Sequence, residues 1–406
     1  MHSLRVSMLP ASFGDCLLVN YHSLNSGNVN ILIDTGFVST YKTYLKPKLL
    51  KMKEEGQHLD LMVITHIDRD HISGALSFFK ENGLSVNSQI IEVKEVWHNS
   101  YRHLQTPSLH RMEIENRVDK GIIEEVSNLG YPEEKEIVID YEEDVSAEQG
   151  SSVAALLDYY KYAWNSSFDN KVVNVENKRI VDIGDEIKLI ILSPDNNKLD
   201  NLKEYWKDKL EEMGFRSDPD KVKIFDDAFE FLMAHEKIKS LKDFNKDISS
   251  TEEDIEELLK EDFIEDMSVV NGSSISFILE TKNQKILFLA DSHPSIITRE
   301  LKQLYGEGIK WFDAIKISHH GSKGNTSPEL LKIIDSNNFF ISTNGSKHNH
   351  PDLVTIARII SRESKHLRNI IFNYKTEVSN YLDNNSLKER YKYEVKILEE
   401  GEEYII

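Results

Sequence analysis

The strand-length run Leu59–Thr65 passes directly into Thr65-His66-Ile67-Asp68-Arg69-Asp70-His71, and this junction constrains the fold more than any other part of the chain. Four side chains able to bind a metal fall within six positions at the exit of a buried strand. A rigid strand end fixes ligands better than a free loop does. Imidazole and carboxylate together suit Zn²⁺, Mn²⁺ or Fe²⁺, and the enrichment in carboxylate points away from metals that select thiolate.

Short apolar runs alternate with helical patterns on both sides of this junction. Leu4–Leu9, Cys16–Asn20, Val29–Asp34 and Ile90–Trp97 read as strands. Thr40–Glu55, despite Pro47, and Ile72–Asn82 read as helices. After Ser274 the alternation resumes with a hairpin, Ile275–Glu280 and Lys285–Ala290. Helices Ser295–Tyr305, Pro328–Ile334 and Leu353–Ser361 then alternate with strands Ala314–Ile317, Phe339–Ser342 and Ile370–Phe372. The pattern predicts one α/β domain over residues 1–406, interrupted by a helix-rich region, 108–268.

That region includes a helical pattern at Val153–Trp164 and a strand at Ile187–Leu192. Its stretch 196–268 holds 22 acidic and 12 basic side chains, a net of −10, which is half the whole chain's −20. Thr251-Glu-Glu-Asp254 resembles a capping box opening an acidic helix that ends near Asp266. The expectation is a solvated helical insertion. A lid or a protein-partner surface is the sharper alternative.

The length suffices to bury a core without staples, and 39% apolar with 29% charged residues excludes a broadly disordered or collagenous chain. The single Cys16 excludes an internal disulfide and suits a reducing compartment. The first residues lack the apolar core of a secretory signal, and no window approaches 18 uninterrupted apolar residues. A cytoplasmic protein with no membrane association is expected. The acidic balance argues against a broad basic groove for duplex nucleic acid.

His66-x-Asp68-x-Asp70-His71 resembles the His-x-His-x-Asp-His signature of the metallo-β-lactamase superfamily, with Asp68 where the second His usually stands. That exchange is similar to one branch, the metallo-hydrolase domain of the competence-type DNA-uptake proteins and their free-standing relatives. Four more segments, in family order, resemble that branch: Phe13-Gly14-Asp15-Cys16, Ile31-Leu-Ile-Asp34-Thr-Gly36, Ile317-Ser-His319-His320-Gly321-Ser322, and Asn344-Gly345 followed by His350-Pro351.

The resemblance implies an αββα sandwich, two facing sheets with helices outside and two divalent metal ions, Zn or Mn, along one edge. Carried over, His66 and Asp68 would hold one ion, Asp70 and His71 the other, and Asp291 would bridge them. His98, at a strand end, is the candidate third ligand of the first ion. For the second, His320 is favoured as ligand with His319 in support, since adjacent residues of an extended strand face opposite ways unless a turn reorients them. His350 competes for that place and is otherwise the first choice as proton donor. Asp70 would orient the attacking hydroxide. Asp15 and Asp34 would orient ligands rather than bind metal. Ser322, Lys323 and Asn325 could grip a phosphate.

The leading expectation is therefore a metal-dependent phosphodiesterase or nuclease acting on a short single strand or a nucleotide. A lactone, thioester or phosphocholine-type ester hydrolase is the second, because one fold hosts many reactions. A metal-stabilised scaffold subunit, with the acidic insertion 196–268 as its partner surface, is the third.

Overall fold

The computed structural model describes residues 3–23, 27–104, 152–212, 255–347 and 349–406. Two sheets dominate it. The first is built from β1 (Ser3–Met8), β2 (Leu17–Ser23), β3 (Gly27–Ile33), β4 (Leu61–Val63) and β5 (Val96–Trp97), with the final strand Tyr404–Ile405 beside β1. The second runs in chain order through β6 (Ile180–Ile183), β7 (Ile187–Ser193), β8 (Ser276–Glu280), β9 (Lys285–Phe288), β10 (Ala314–Lys316), β11 (Asn338–Ile341), β12 (Arg368–Phe372) and β13 (Tyr393–Ile397). Its spatial order inverts neither end: β6 and β13 are the two edges.

Alternation along the strands sets the layers. Leu4, Val6 and Met8 of β1 face Ile187, Leu189 and Ile191 of β7 and Phe277 and Leu279 of β8 in one apolar layer between the sheets. The intervening residues face outward. Leu18 and Leu32 meet Ile72, Ala75, Phe78 and Phe79 of the helix Arg69–Asn82. Ile190, Leu192, Ile278 and Leu287 meet Ile296 and Ile297 of the helix Pro294–Tyr305. Three apolar layers thus separate helix, sheet, sheet and helix. This mixed α/β architecture is consistent with the metallo-β-lactamase fold.

Several element boundaries differ from the sequence expectation, each for a local reason. The helix expected at Thr40–Glu55 passes through a π turn, Tyr41–Leu45, before its α-helical part, Lys46–Glu54. Pro47 lacks an N–H and its ring clashes with a regular preceding turn, so a widened turn accommodates it. Of Ile90–Trp97 only Val96–Trp97 pairs as a strand, because the Asn82 side chain accepts from the Ile90 and Ile91 N–H groups at 2.8 and 3.0 Å. The helix Val153–Tyr159 stops short of Trp164, where Ala163 instead accepts a bond from the Val96 N–H. The helix from Pro328 ends at Leu331, and Ile334–Ser336 pairs as a short parallel strand with Lys310–Phe312.

The acidic insertion opens with the expected helical character, in the helix Asn196–Glu212, and departs from expectation at the acidic helix read after Thr251. Thr251–Asp254, with 213–254 as a whole, lies outside the described residues, as does 105–151 of the helix-rich region. Beyond them only Ile255–Leu258 is helical before Asp266. The rest spends its polar groups on the domain: Asp266 N–H donates to Gly324 at 3.0 Å, Glu261 pairs with Lys323, and Phe263 lies under the Arg358 guanidinium at 5.5 Å.

Parallel pairing brings chemistry to one edge. β3 and β4 run parallel in the first sheet, as do β9, β10 and β11 in the second. Their C-terminal ends release Asp34, the 66–71 segment, Asp291, His319-His320 and Ser342 respectively.

Candidate metal centre

His66 and Asp68 leave β4 in extended conformation, and Asp70 and His71 occupy the first turn of the helix that follows, whose N-cap position is Asp68. This strand-to-helix corner puts four ligand-type side chains on one point. Gly14 lets the β1–β2 turn lie against it, since a Cβ there would come within 2.0 Å of the Asp70 carbonyl oxygen.

Asp291 is the hub. Its Oδ2 lies 3.6 Å from His66 Nε2, 3.6 Å from His71 Nε2 and 3.7 Å from His319 Nε2. Asp68 Oδ2 is 3.4 Å from His66 Nε2. Asp70 Oδ2 is 3.7 Å from His71 Nε2 and 3.5 Å from His320 Nε2. These separations are too long for hydrogen bonds. Two donors each about 2.1 Å from one tetrahedral cation stand about 3.4 Å apart. Moreover His66 Nε2, His71 Nε2, His320 Nε2 and Asp291 Oδ1 are buried with no hydrogen-bond partner. Buried polar atoms are rarely left so. A donor set of imidazole nitrogens and carboxylate oxygens with these vacant lone pairs fits divalent metal ions, around His66-His71-Asp291 and around Asp70-His71-His320.

A further layer of bonds holds the ligands. Asp34 Oδ2 accepts from His71 Nδ1 at 2.8 Å and from the Thr65 hydroxyl at 2.7 Å, while Thr65 Oγ1 lies 2.9 Å from His66 Nδ1. His320 Nδ1 donates to the Ser342 carbonyl at 2.8 Å and lies 3.5 Å from Asp15 Oδ1. Asp15 in turn accepts from the buried Lys316 ammonium at 2.7 Å. Such contacts set ring orientation and leave Nε2 for the metal.

The charges match this layout. Burial alone would raise the Asp291 carboxyl, but His319, His71, His320 and His66 hold it well below the usual carboxylate range. Burial would raise Asp15 too, and Lys316 and His320 outweigh it downward. Burial opposes the charged form of His320, yet Asp15, Asp291 and Asp70 push it up to about 9. His71 is raised in the same way, by Asp291, Asp34 and Asp70 against its burial.

His319 and His320 both turn toward the centre because both adopt left-handed backbone conformations, φ 45° and 54°, in a short 3-10 turn past β10. Gly321 follows at φ 92°, packed so closely on Pro351 that a Cβ would meet it at 2.5 Å. His320 joins the ligand atoms of Asp70 and His71. His319 lies beside Asp291 instead, with its ring 5.3 Å from that of His350.

The opening of the site is lined by Phe13, Asp70, His319, His320, Thr343, Lys347 and His350. Lys347 sits there with its ammonium 4.7 Å from the Phe13 ring centre. The other expected residues are placed elsewhere. The His98 ring stacks on Trp164 at 6.1 Å and belongs to none of the groups of ligand atoms found among the described residues. Lys323 turns outward to Glu261, Ser322 Oγ accepts from the Gly324 N–H at 3.3 Å, and Asn325 is fully buried beneath His319. Sequence reasoning missed Lys347, Lys316, Thr65 and Asp266. For Lys316 a signal existed, a lone lysine inside the apolar run Ala314–Ile317.

Residues 10–144 match the family model described as Metallo-beta-lactamase superfamily, a group generally of metal-dependent hydrolases. No curated protein matches the sequence. Among solved structures, the chain is similar to the metallo-beta-lactamase fold protein YhfI from Bacillus subtilis, at 10% identity over 99% of each chain with a TM-score of 0.37. It is also similar to a CmlA beta-hydroxylase mutant, at 9% identity over 100% of this chain and 53% of that one, with a TM-score of 0.33.

Proposed function

We propose that this metallo-beta-lactamase superfamily domain is a dinuclear metal-dependent phosphodiesterase acting on a short single-stranded nucleic acid or a nucleotide. The observation that carries the reading is the opening of the site, where the Lys347 ammonium, held against Phe13, stands beside Asp70, His319, His320 and His350. A positioned cation next to a carboxylate-rich ligand set suits a substrate that brings its own negative charge.

His66 and Asp68 would hold one ion, Asp70, His71 and His320 the other, with Asp291 between them. Bound there, two divalent ions would supply Lewis acidity and an activated water at neutral pH. Asp70, at the inner end of the opening, would orient that water. Lys347 would bind a non-bridging phosphate oxygen, and Thr343 would line the substrate's path. His319 or His350 would deliver a proton to the leaving oxygen. The net charge of −20 disfavours a long duplex. It does not prevent binding of a short anion, because charges beyond about 8–10 Å are screened at physiological salt.

The test is hydrolysis of bis-p-nitrophenyl phosphate and of a neutral p-nitrophenyl carboxylic ester after reconstitution with Zn²⁺ or Mn²⁺, with Asp70→Ala alongside. Phosphodiester turnover that vanishes in the variant is expected. Turnover of the carboxylic ester alone would favour the ester hydrolase, and turnover of neither by the loaded protein would favour the scaffold.

A further inference from the structure

We propose that Asp266, contributed by the acidic insertion, is a positioning residue that fixes the tautomer of His319 through Asn325. The Asp266 backbone is tied to the histidine loop by its N–H bond to Gly324. Its Oδ1 accepts from the Ser268 N–H at 2.9 Å. Its Oδ2 accepts from Asn271 Nδ2 at 2.7 Å and from Asn325 Nδ2 at 3.0 Å. Asn325 Nδ2 also donates to the Asp291 carbonyl at 3.1 Å.

These bonds fix the orientation of the Asn325 amide. An ionised carboxylate and a carbonyl oxygen can only accept, so both demand the NH₂ end of Asn325. Its Oδ1 must then face His319 Nδ1, 3.0 Å away. That oxygen can only accept, so the His319 proton sits on Nδ1. Asn271 Nδ2 approaches the same nitrogen at 3.4 Å, and a bond from it would require the opposite tautomer. The shorter contact decides. His319 Nε2 is left facing the centre, 3.7 Å from Asp291 Oδ2.

The catalytic consequence rests on the phosphodiesterase reading. In that reading the Nδ1 proton stays on the Asn325 side, and Nε2 is the His319 nitrogen presented to the leaving oxygen. Asp266, at the described end of the insertion, is thereby part of the site.

The tautomer can be read directly, in Zn²⁺-loaded protein labelled with ¹⁵N-histidine, by two-bond ¹⁵N–¹H correlation at about pH 8, where an ordinary imidazole is neutral. His319 is identified by the signal lost in His319→Gln. The expected pattern is Nδ1–H in the unaltered protein, lost in Asp266→Ala and in Asn325→Leu. An Nε2–H pattern in the unaltered protein would overturn the proposal, whether or not either variant folds. So would an unchanged Nδ1–H pattern in an Asp266→Ala protein of normal metal content. On diester substrates, Asp266→Ala should lower kcat little with a p-nitrophenolate leaving group and about 10²-fold with an alkoxide, at unchanged KM. An equal loss on both would reduce Asp266 to a structural role. Absence of any diester turnover by the unaltered protein would instead sink the phosphodiesterase reading and leave the tautomer result standing.

Discussion

Asp34 Oδ2 accepts the His71 Nδ1–H at 2.8 Å, and through Thr65, whose hydroxyl it also accepts, Asp34 reaches His66 as well. One carboxylate at the end of β3 therefore orients two imidazoles at the end of β4. Its own backbone lies at φ 56°, a left-handed conformation that turns the side chain across to the neighbouring strand end. Asp34→Ala should lower metal affinity about 10–100-fold without unfolding the chain. Competition with a chromophoric chelator checks this, and an unchanged affinity would remove Asp34 from the site.

Lys316 and Asp15 form a buried ion pair joining the two sheets, at 2.7 Å and with both side chains almost fully enclosed. Lys316→Met leaves the buried Asp15 carboxylate without its ammonium partner, with only His320 still beside it. The expected cost is about 3–5 kcal/mol of unfolding free energy, with most of it recovered in Lys316→Met/Asp15→Leu. Urea unfolding of the metal-free proteins is the check. A single variant as stable as the parent would show the pair to be dispensable.

The buried Arg368 donates to Asp335 at 2.8 and 3.1 Å, and Arg362 donates to the same carboxylate at 3.0 Å. Burial works against the charged carboxylate, but these guanidinium groups hold its pKa below the ordinary value. A depressed native pKa gives stability that is present above the unfolded value of about 3.9 and lost as pH falls through the native one. Asp335→Ala should therefore be less stable than the parent near neutral pH, and the gap should close below about pH 4. Urea midpoints measured from pH 7 down to pH 2 test the sign. A gap that widens in acid would contradict it.

Metal binding must displace protons from His320 and His71, both raised by surrounding carboxylates in the metal-free protein, His320 to about 9. The charged imidazoles stabilise the metal-free chain fully below about 6.5, and that contribution fades as pH rises toward the raised value. Metal affinity moves the opposite way, strengthening as pH rises through the same window. Calorimetry in buffers of different ionisation heat should show proton release on Zn²⁺ binding at pH 7. No buffer dependence would mean that the histidines are already neutral.

Much of this was legible in the sequence because strand ends and short-range spacing carry it. The 66–71 corner, Asp34, Asp291 and the adjacent histidines each sit at the end of an apolar run, and the strands of both sheets appear as short apolar runs such as Leu4–Leu9 and Ile275–Glu280. What stayed hidden depends on long-range approach. Asp266 reaches His319 from 53 positions away only because its backbone bonds to Gly324. Lys347 enters the opening through its contact with Phe13, more than three hundred positions earlier. His98 sits at a strand end, as the sequence indicates, with its ring stacked on Trp164 and outside the groups of ligand atoms among the described residues.

The measurement that tests the central claim most directly is metal content per chain by elemental analysis after reconstitution and desalting, for the unaltered protein and Asp291→Ala. About two ions per chain are expected in the first, and fewer in the variant, because Asp291 Oδ2 stands 3.6 Å from both His66 Nε2 and His71 Nε2, between the two proposed positions. One ion or none in the unaltered protein, or full occupancy in Asp291→Ala, would contradict a dinuclear centre built around Asp291.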